Sequence, residues 1–188
     1  MRKILLIFSV IFSLTLSANA QLTLNDITLP AKLSYHDQTL ILNGGGIRSK
    51  FIFKLYTIGL YLTEKNSDGN TILKENKTMA VRFEISSDMI NSDNMSEAIN
   101  EGFDKSTNGN TSVIRQRIDE MLKTFSSEEI LIGDLFEIVF TPDKGSEIYK
   151  NGELKSTIKG RDFKEALFGI WIAENSVSSS LKKQLLDK

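Results

Sequence analysis

The sequence predicts an α+β domain in which antiparallel strands are interrupted by helices. Three observations lead to this prediction. Residues 51–62 form a long apolar run without a polar face, which is typical of a central strand covered on both sides. After Ser92 the apolar period changes from two to about 3.6 residues, which indicates helices. Asn151 and Gly152 lie between two strand-like segments and form the strongest hairpin signal in the chain.

The individual elements follow from the same two periods, with turns where Gly, Asn, Asp and Ser cluster. Residues 21–37 predict a short strand or an irregular lead-in, and residues 66–70 (NSDGN) predict a turn. Side chains that can cap helices precede each helical segment. The predicted strands are 39–42, 51–62, 79–85, 130–141, 147–149 and 154–158, and the predicted helices are 92–105, 112–125, 163–172 and 178–186.

The first 20 residues predict an export signal and not a part of the fold. A basic start is followed by the apolar segment 4–16 and by Ala18-Asn19-Ala20, whose small residues suit a signal peptidase. The alternative is a retained membrane anchor, for which the apolar segment is short. We therefore predict a cleaved signal peptide over residues 1–20 and one domain over residues 21–188. The mature protein would begin at Gln21, lack a stable membrane anchor and, in a bacterium, be periplasmic.

The composition of this predicted domain excludes several classes of function. Without Arg2 and Lys3, 21 of the 23 basic residues remain against 24 acidic ones, and a net charge of about −3 predicts no nucleic-acid partner. One histidine and no cysteine leave neither a disulfide nor a typical zinc ligand set, so we predict no metal. His36 lies in a polar stretch and is predicted to be a turn residue, not a catalytic base. The glycines 44–46 lack the lysine of a phosphate-binding loop, so we predict no cofactor.

The candidate site lies in residues 42–62, where the three glycines precede Arg48 and the apolar run contains Tyr56. An arginine can donate to both oxygens of a carboxylate, and a tyrosine hydroxyl can add a third hydrogen bond. Lys54 has the same strand parity as Tyr56 and is a second candidate cation. The alternative for Arg48 is a surface turn residue without a ligand.

This site requires a turn in the chain. On one straight strand the Cα atoms of Arg48 and Tyr56 would be about 26 Å apart, too far to share one headgroup. Glycine in a strand usually marks a bulge or a bend, so we predict one at residues 44–46. Trp171 lies on the apolar side of its helix and is predicted to pack in the core.

Several segments resemble the chalcone isomerase-like family, in order and over nearly all of residues 21–188. They are LNGGGIRSKFIFKLYTIGLYL at 42–62, NEGF at 100–103, the Asn-Gly hairpin, and DFKEALFGIWIAENSVSSSLKKQLL at 162–186. The last three resemble the exported bacterial branch. The resemblance implies an open-faced β-sandwich, with a large antiparallel sheet, helices packed on one face and a cleft between them.

The resemblance also implies two alternative functions. One function that it implies is that of a chalcone isomerase, which closes a ring without a cofactor and uses an Arg, a strand Thr, a Tyr and an Asn. The other is that of a fatty-acid-binding protein, which holds the carboxylate with an Arg and a Tyr. This chain keeps Arg48 and has Tyr56 where the enzyme has Thr, with Thr57 next to it. The enzyme's Tyr and Asn align near Asn110 and Gln116, so both are absent.

We therefore predict a non-catalytic binder of a fatty acid or a similar apolar anion, with Arg48, Tyr56 and Lys54 at the headgroup. The alternative is a cofactor-free intramolecular lyase of the chalcone isomerase type, using Arg48, Tyr56 and Thr57. A third hypothesis, an interaction module, would need an exposed apolar patch.

Overall fold

The computed structural model describes residues 21–188, and the predicted signal peptide lies outside this range. Seven antiparallel strands, β3 to β9, form one sheet in chain order, while β1 and β2 pair separately. The antiparallel α+β prediction is confirmed. The strands are β1 (Leu22–Leu24), β2 (Ile27–Leu29), β3 (Lys32–Tyr35), β4 (Gln38–Lys50), β5 (Phe53–Leu62), β6 (Met79–Ile85), β7 (Leu135–Thr141), β8 (Gly145–Lys150) and β9 (Glu153–Ile158). The helices are α1 (Gly69–Lys74), α2 (Ser92–Ser106), α3 (Arg115–Ser126), α4 (Arg161–Ile172) and α5 (Ser179–Leu185), and a short 3-10 helix (Ser112–Ile114) precedes α3.

β4 passes through all three glycines as one extended strand. A Cβ atom at Gly44 would lie 2.7 Å from the carbonyl oxygen of Leu185 in α5. A Cβ atom at Gly45 would lie 2.8 Å from a methyl group of Leu22 in β1. The glycines therefore let α5 and the small sheet approach opposite faces of β4. Of the predicted alternatives, a bulge or a bend, the structure has a bulge, which lies beside the glycines at Asn43.

The turn in this region comes after Arg48. The predicted strand 51–62 begins only at Phe53, because Phe51 and Ile52 form a two-residue turn between β4 and β5. Phe51 has a φ of 55°, a left-handed conformation that large side chains rarely adopt. The second hairpin is as predicted, with Asn151 and Gly152 at φ values of 51° and 82°.

One further predicted boundary is corrected by a local turn, and a helix begins within the segment predicted as a turn, residues 66–70. The strand predicted from residue 130 begins at Leu135, because the Asp134 carboxylate accepts a hydrogen bond from the Leu131 backbone N–H at 2.9 Å and folds residues 131–134 into a turn. α1 was not predicted, and its N-terminus is capped by Asp68, which accepts from the Asn70 N–H at 3.0 Å.

The sheet is curled, so that its first strand approaches β8. His36, in the turn after β3, has its Nε2 atom 2.7 Å from a carboxylate oxygen of Glu147 in β8. The rings of Tyr35 and Tyr149 lie 6.2 Å apart, centroid to centroid. His36 is thus a turn residue, as predicted, and it joins the two sides of the curled sheet.

The helices cover the other face of β5 to β8 and enclose the main core. Most apolar side chains of α2 and α3 are buried there, but Ala98 in α2 is exposed. Val113, which falls within the predicted helix 112–125, lies in the 3-10 turn before α3 and is 82% exposed. β5 is an interior strand, paired with β4 and β6, as its two apolar faces predicted.

Candidate ligand-binding site

A cavity of about 370 Å³ lies between the sheet and the helices. Its walls are mainly apolar, and three methionines give them side chains that adapt readily to a ligand's shape. Polar groups gather at Arg48, Lys50 and Tyr56 and along the facing side of α2. The apolar lining consists of Leu55, Phe83, Met89, Ile90, Met95, Ala98, Ile99, Met121, Phe125, Ile138, Ile170, Trp171 and Val177, and the polar lining of Arg48, Lys50, Tyr56, Asn94, Glu97 and Glu101.

Arg48 and Tyr56 lie directly opposite each other on β4 and β5. Side chains of such cross-strand partners point to the same face, with Cβ atoms about 4.5–5.5 Å apart. The turn at Phe51 and Ile52 therefore brings Arg48 and Tyr56 close enough to share one headgroup, which a straight strand would not allow. Both residues line the cavity and are half-buried.

A second bulge in the same hairpin determines which side chains enter the cavity. Arg48 pairs with Tyr56 but Ser49 pairs with Lys54, so Leu55 is the extra residue. Leu55 and Tyr56 both line the cavity, whereas Lys54 does not, since the bulge reverses the strand parity. Lys54 is exposed, and its Nζ donates to the side-chain oxygen of Asn25 at 2.9 Å.

Trp171 holds the Tyr56 hydroxyl in place. The indole Nε1–H of Trp171 donates to the Tyr56 oxygen at 3.0 Å. This bond uses the oxygen as an acceptor, so the hydroxyl hydrogen is left to donate into the cavity. Trp171 packs in the core, as predicted, but its role beside Tyr56 was not anticipated.

The protonation state of Tyr56 also favours donation of a hydrogen bond by its hydroxyl group. Burial raises the pKa of Tyr56 above its usual value, although the hydrogen bond from Trp171 and the charge of Arg48 act in the opposite direction. Tyr56 is therefore a neutral phenol at neutral pH, suited to donate a hydrogen bond to an anion and unsuited to accept a proton as a base.

The Arg48 guanidinium is only partly engaged by the protein. One of its N–H groups donates to the Ser49 carbonyl at 2.6 Å. No carboxylate within residues 21–188 forms a salt bridge with Arg48. Glu101, on the facing helix, is paired with Lys105 at 2.8 Å, and Lys105 is the main reason that the pKa of Glu101 is lowered, with smaller contributions from Lys50 and Arg48. An anion in the cavity therefore has N–H donors of Arg48 to bind.

The residues considered for an isomerase are placed elsewhere, apart from Arg48 and Tyr56. Thr57 is fully buried on the opposite face of the sheet, where its hydroxyl lies 3.5 Å from the Leu24 carbonyl. Asn110 and Gln116 are exposed and do not line the cavity. The helix that faces Arg48 is α2, which contains no tyrosine. The resemblance placed the enzyme's Tyr and Asn near Asn110 and Gln116, and the order of helices along the chain does not reveal that α2 covers the hairpin.

Residues 21–188 contain no group of three or more His, Asp or Glu side chains arranged to bind a metal ion. Within the same range, no helix combines the length and the apolar character needed to cross a bilayer. The apolar lining, with Arg48 and Tyr56 beside it, has the chemistry that an amphiphilic anion requires.

Comparison with known proteins identifies the family. The model of the family described as chalcone isomerase-like matches residues 20–187. This chain belongs to the chalcone isomerase-like family. Among curated proteins, none matches significantly.

The family assignment agrees with the fold. A crystal structure of an Arabidopsis thaliana fatty-acid-binding protein is similar to this chain with a TM-score of 0.70, over 89% of this chain and 96% of that one. The two sequences are 13% identical, so the similarity shows a shared fold. The predicted chalcone isomerase-like architecture is confirmed.

Proposed function

We propose that this chalcone isomerase-like protein binds a fatty acid or a similar apolar anion and does not transform it. Arg48 and Tyr56 hold the anionic headgroup, and the apolar cavity holds the chain. The observation that carries the proposal is the direct cross-strand pairing of Arg48 and Tyr56 at a cavity with an apolar lining. The fatty-acid-binding protein of similar fold supports the same function.

The cavity suits such a ligand in size and in polarity. A volume of about 370 Å³ lies within the range of roughly 300–1,000 Å³ that is usual for small-molecule sites. One guanidinium and one neutral phenol can supply charge-assisted hydrogen bonds to a carboxylate. Ring closure of a chalcone would instead need placed donors that orient a phenolate and stabilise an enolate. Thr57 lies on the far face of the sheet, which weakens the alternative of an isomerase.

A fluorescence titration tests the proposal, because Trp171 is the chain's sole tryptophan and lines the cavity. Dodecanoate or hexadecanoate would be added to the protein in solution. We expect Arg48→Gln to weaken binding by about 10- to 150-fold, since hydrogen bonds to charged groups contribute about 1.5–3 kcal/mol. Lys54→Gln is the matched control, because it removes the same charge from the same hairpin but outside the cavity.

Two results would refute this function. One is the absence of fatty-acid binding to the wild type, checked by native mass spectrometry of the protein as purified and after ligand addition. The other is equal binding by the wild type and Arg48→Gln. Arg48-dependent acceleration of 2′-hydroxychalcone cyclisation above the uncatalysed rate would support the isomerase instead.

We also propose that the protein is exported and that its mature form begins at Gln21. The basis is the sequence of residues 1–20. Intact-mass measurement of the protein recovered from the periplasm of a bacterial host tests this. A mass that retains residues 1–20 would overturn it.

A further inference from the structure

We propose that the tip of the β4–β5 hairpin docks onto a bilayer surface containing anionic lipids. The hairpin tip is defined here as Ser49 to Lys54. The inference stands on the shape, exposure and charge of this segment and does not depend on the identity of the ligand.

The hairpin tip projects beyond the rest of the sheet. Pairing of β4 with β3 involves only Gln38 to Ile41, and pairing of β5 with β6 begins at Tyr56. Ser49 to Lys54 therefore pair only with one another. With three residues on each arm at about 3.3 Å each, this two-stranded extension is about 10 Å long.

The end of the hairpin tip carries large apolar side chains in water. Phe51 is 90% exposed and Ile52 is 88% exposed. Glycine, asparagine or aspartate would occupy the left-handed position of Phe51 at lower cost. An aromatic side chain kept at a strained and exposed position points to a role in recognition, because neither folding nor solubility explains it.

The charge of the hairpin tip matches a lipid surface. Lys50 and Lys54 flank the apolar residues, and the segment contains no acidic residue. Apolar side chains flanked by lysines are the pattern with which proteins insert shallowly into anionic interfaces, to a depth of about 5–10 Å. The length of the extension agrees with this depth. A protein partner would need roughly 800 Å² of complementary surface, which two side chains on a narrow projection do not provide.

The neighbouring surface extends the same apolar edge. Met89, in the loop after β6, is partly exposed and also lines the cavity. Leu131 and Ile132, in the turn before β7, are exposed at this end of the sheet, since β6 ends and β7 begins here. Arg48 and Lys50 line the cavity beside the hairpin tip. Docking would thus bring the cavity against the layer in which apolar acids partition.

Co-sedimentation with vesicles tests the inference. The probes are vesicles of phosphatidylcholine alone and of phosphatidylcholine with one-third phosphatidylglycerol. We expect the chain spanning residues 21–188 to bind the anionic vesicles, to bind neutral ones more weakly, and to be released by salt. The double variant Phe51→Asn/Ile52→Ser should lose at least about tenfold in binding, since it removes the two apolar side chains that would enter the bilayer.

Val113→Ser is the matched control. Val113 is nearly as exposed as Ile52, but it lies at the opposite end of the sheet, where Arg117 joins its carbonyl to that of Lys159. This variant should bind vesicles like the wild type. Lys54→Gln should weaken binding to anionic vesicles and leave binding to neutral ones unchanged.

Three outcomes would overturn the inference. They are no binding of the wild type to anionic vesicles, equal binding by the double variant, and a wild-type dimer that the double variant converts to a monomer without any vesicle binding. The last would assign the hairpin tip to contact between copies of this chain. Fatty-acid binding in solution should be unchanged in the double variant, so failure of docking and failure of the proposed function are separate results.

Discussion

Tyr56→Phe is the sharpest single test of the binding site, because it removes one oxygen atom and keeps the ring. In the wild type this oxygen accepts the Trp171 indole N–H at 3.0 Å. The hydroxyl hydrogen remains available to a ligand. The variant should therefore affect both ligand affinity and protein stability, by amounts that follow from the two hydrogen bonds.

The expected magnitudes can be worked out separately. Loss of a hydrogen bond to a carboxylate costs about 1.5–3 kcal/mol, which weakens binding by about 10- to 150-fold. Trp171 is only 6% exposed, so its N–H would lose its partner in a buried place. An unpaired buried donor costs about 1–3 kcal/mol of unfolding free energy. Tryptophan fluorescence measures both quantities, by fatty-acid titration and by urea unfolding, with Trp171 as sole reporter.

Tyr61→Phe provides the comparison. Tyr61 is fully buried on the opposite face of the sheet, and within residues 21–188 its hydroxyl has no hydrogen-bond partner. Its removal should leave fatty-acid binding unchanged and leave stability equal or higher. The reasoning is refuted if Tyr56→Phe binds fatty acid as tightly as the wild type, or if the two variants change affinity equally.

Two further predictions concern the scaffold. Lys164 is fully buried and donates to three carbonyls at the end of α1, and burial lowers its pKa to about 8 from 10.5. Between these pH values Lys164 loses its proton in the native state and keeps it in the unfolded state, so the stability of the wild type should rise with pH relative to that of Lys164→Met. Urea unfolding should show a rise of at most about 3 kcal/mol. A difference that does not change with pH would contradict this. Gly44→Ala should cost about 1–3 kcal/mol or more in the same assay, because its Cβ would overlap the backbone of α5; unchanged stability would contradict it.

Much of the fold was accessible from the sequence because it depends on local patterns. The Asn-Gly hairpin, the two-sided strand β5 and the stripes of α2 and α3 each follow from residue types and from spacing within one segment. α1 was missed because six residues are too few to show a helical period. The apolar run from Phe51 was interpreted as strand throughout because its turn uses Phe and Ile, which carry no turn signal.

The site was harder to predict from the sequence than the fold, because it depends on the register between β4 and β5. Arg48 and Tyr56 were identified as partners by resemblance, but their contact depends on a turn that the sequence does not signal. Lys54 was included by strand parity, and the bulge at Leu55 reverses that parity. Trp171 and the facing residues of α2 were missed because their position over the hairpin depends on tertiary packing. A bulge or a crossing helix is decided by contacts distant in sequence, which periodicity does not encode.

The geometry of Arg48 and Tyr56 fits the proposed binding function better than it fits catalysis. The Tyr56 oxygen already accepts a hydrogen bond from Trp171, and burial raises the pKa of its hydroxyl. Burial keeps the phenol neutral, and the hydrogen bond from Trp171 holds its oxygen in position. Such a group stabilises an anion that is already formed, whereas a base that generates a phenolate or an enolate would need a pKa near the working pH. Arg48 adds a permanent positive charge beside it. Arg48 and Tyr56 are therefore suited to a preformed carboxylate and the apolar walls to its chain, as the proposed function requires.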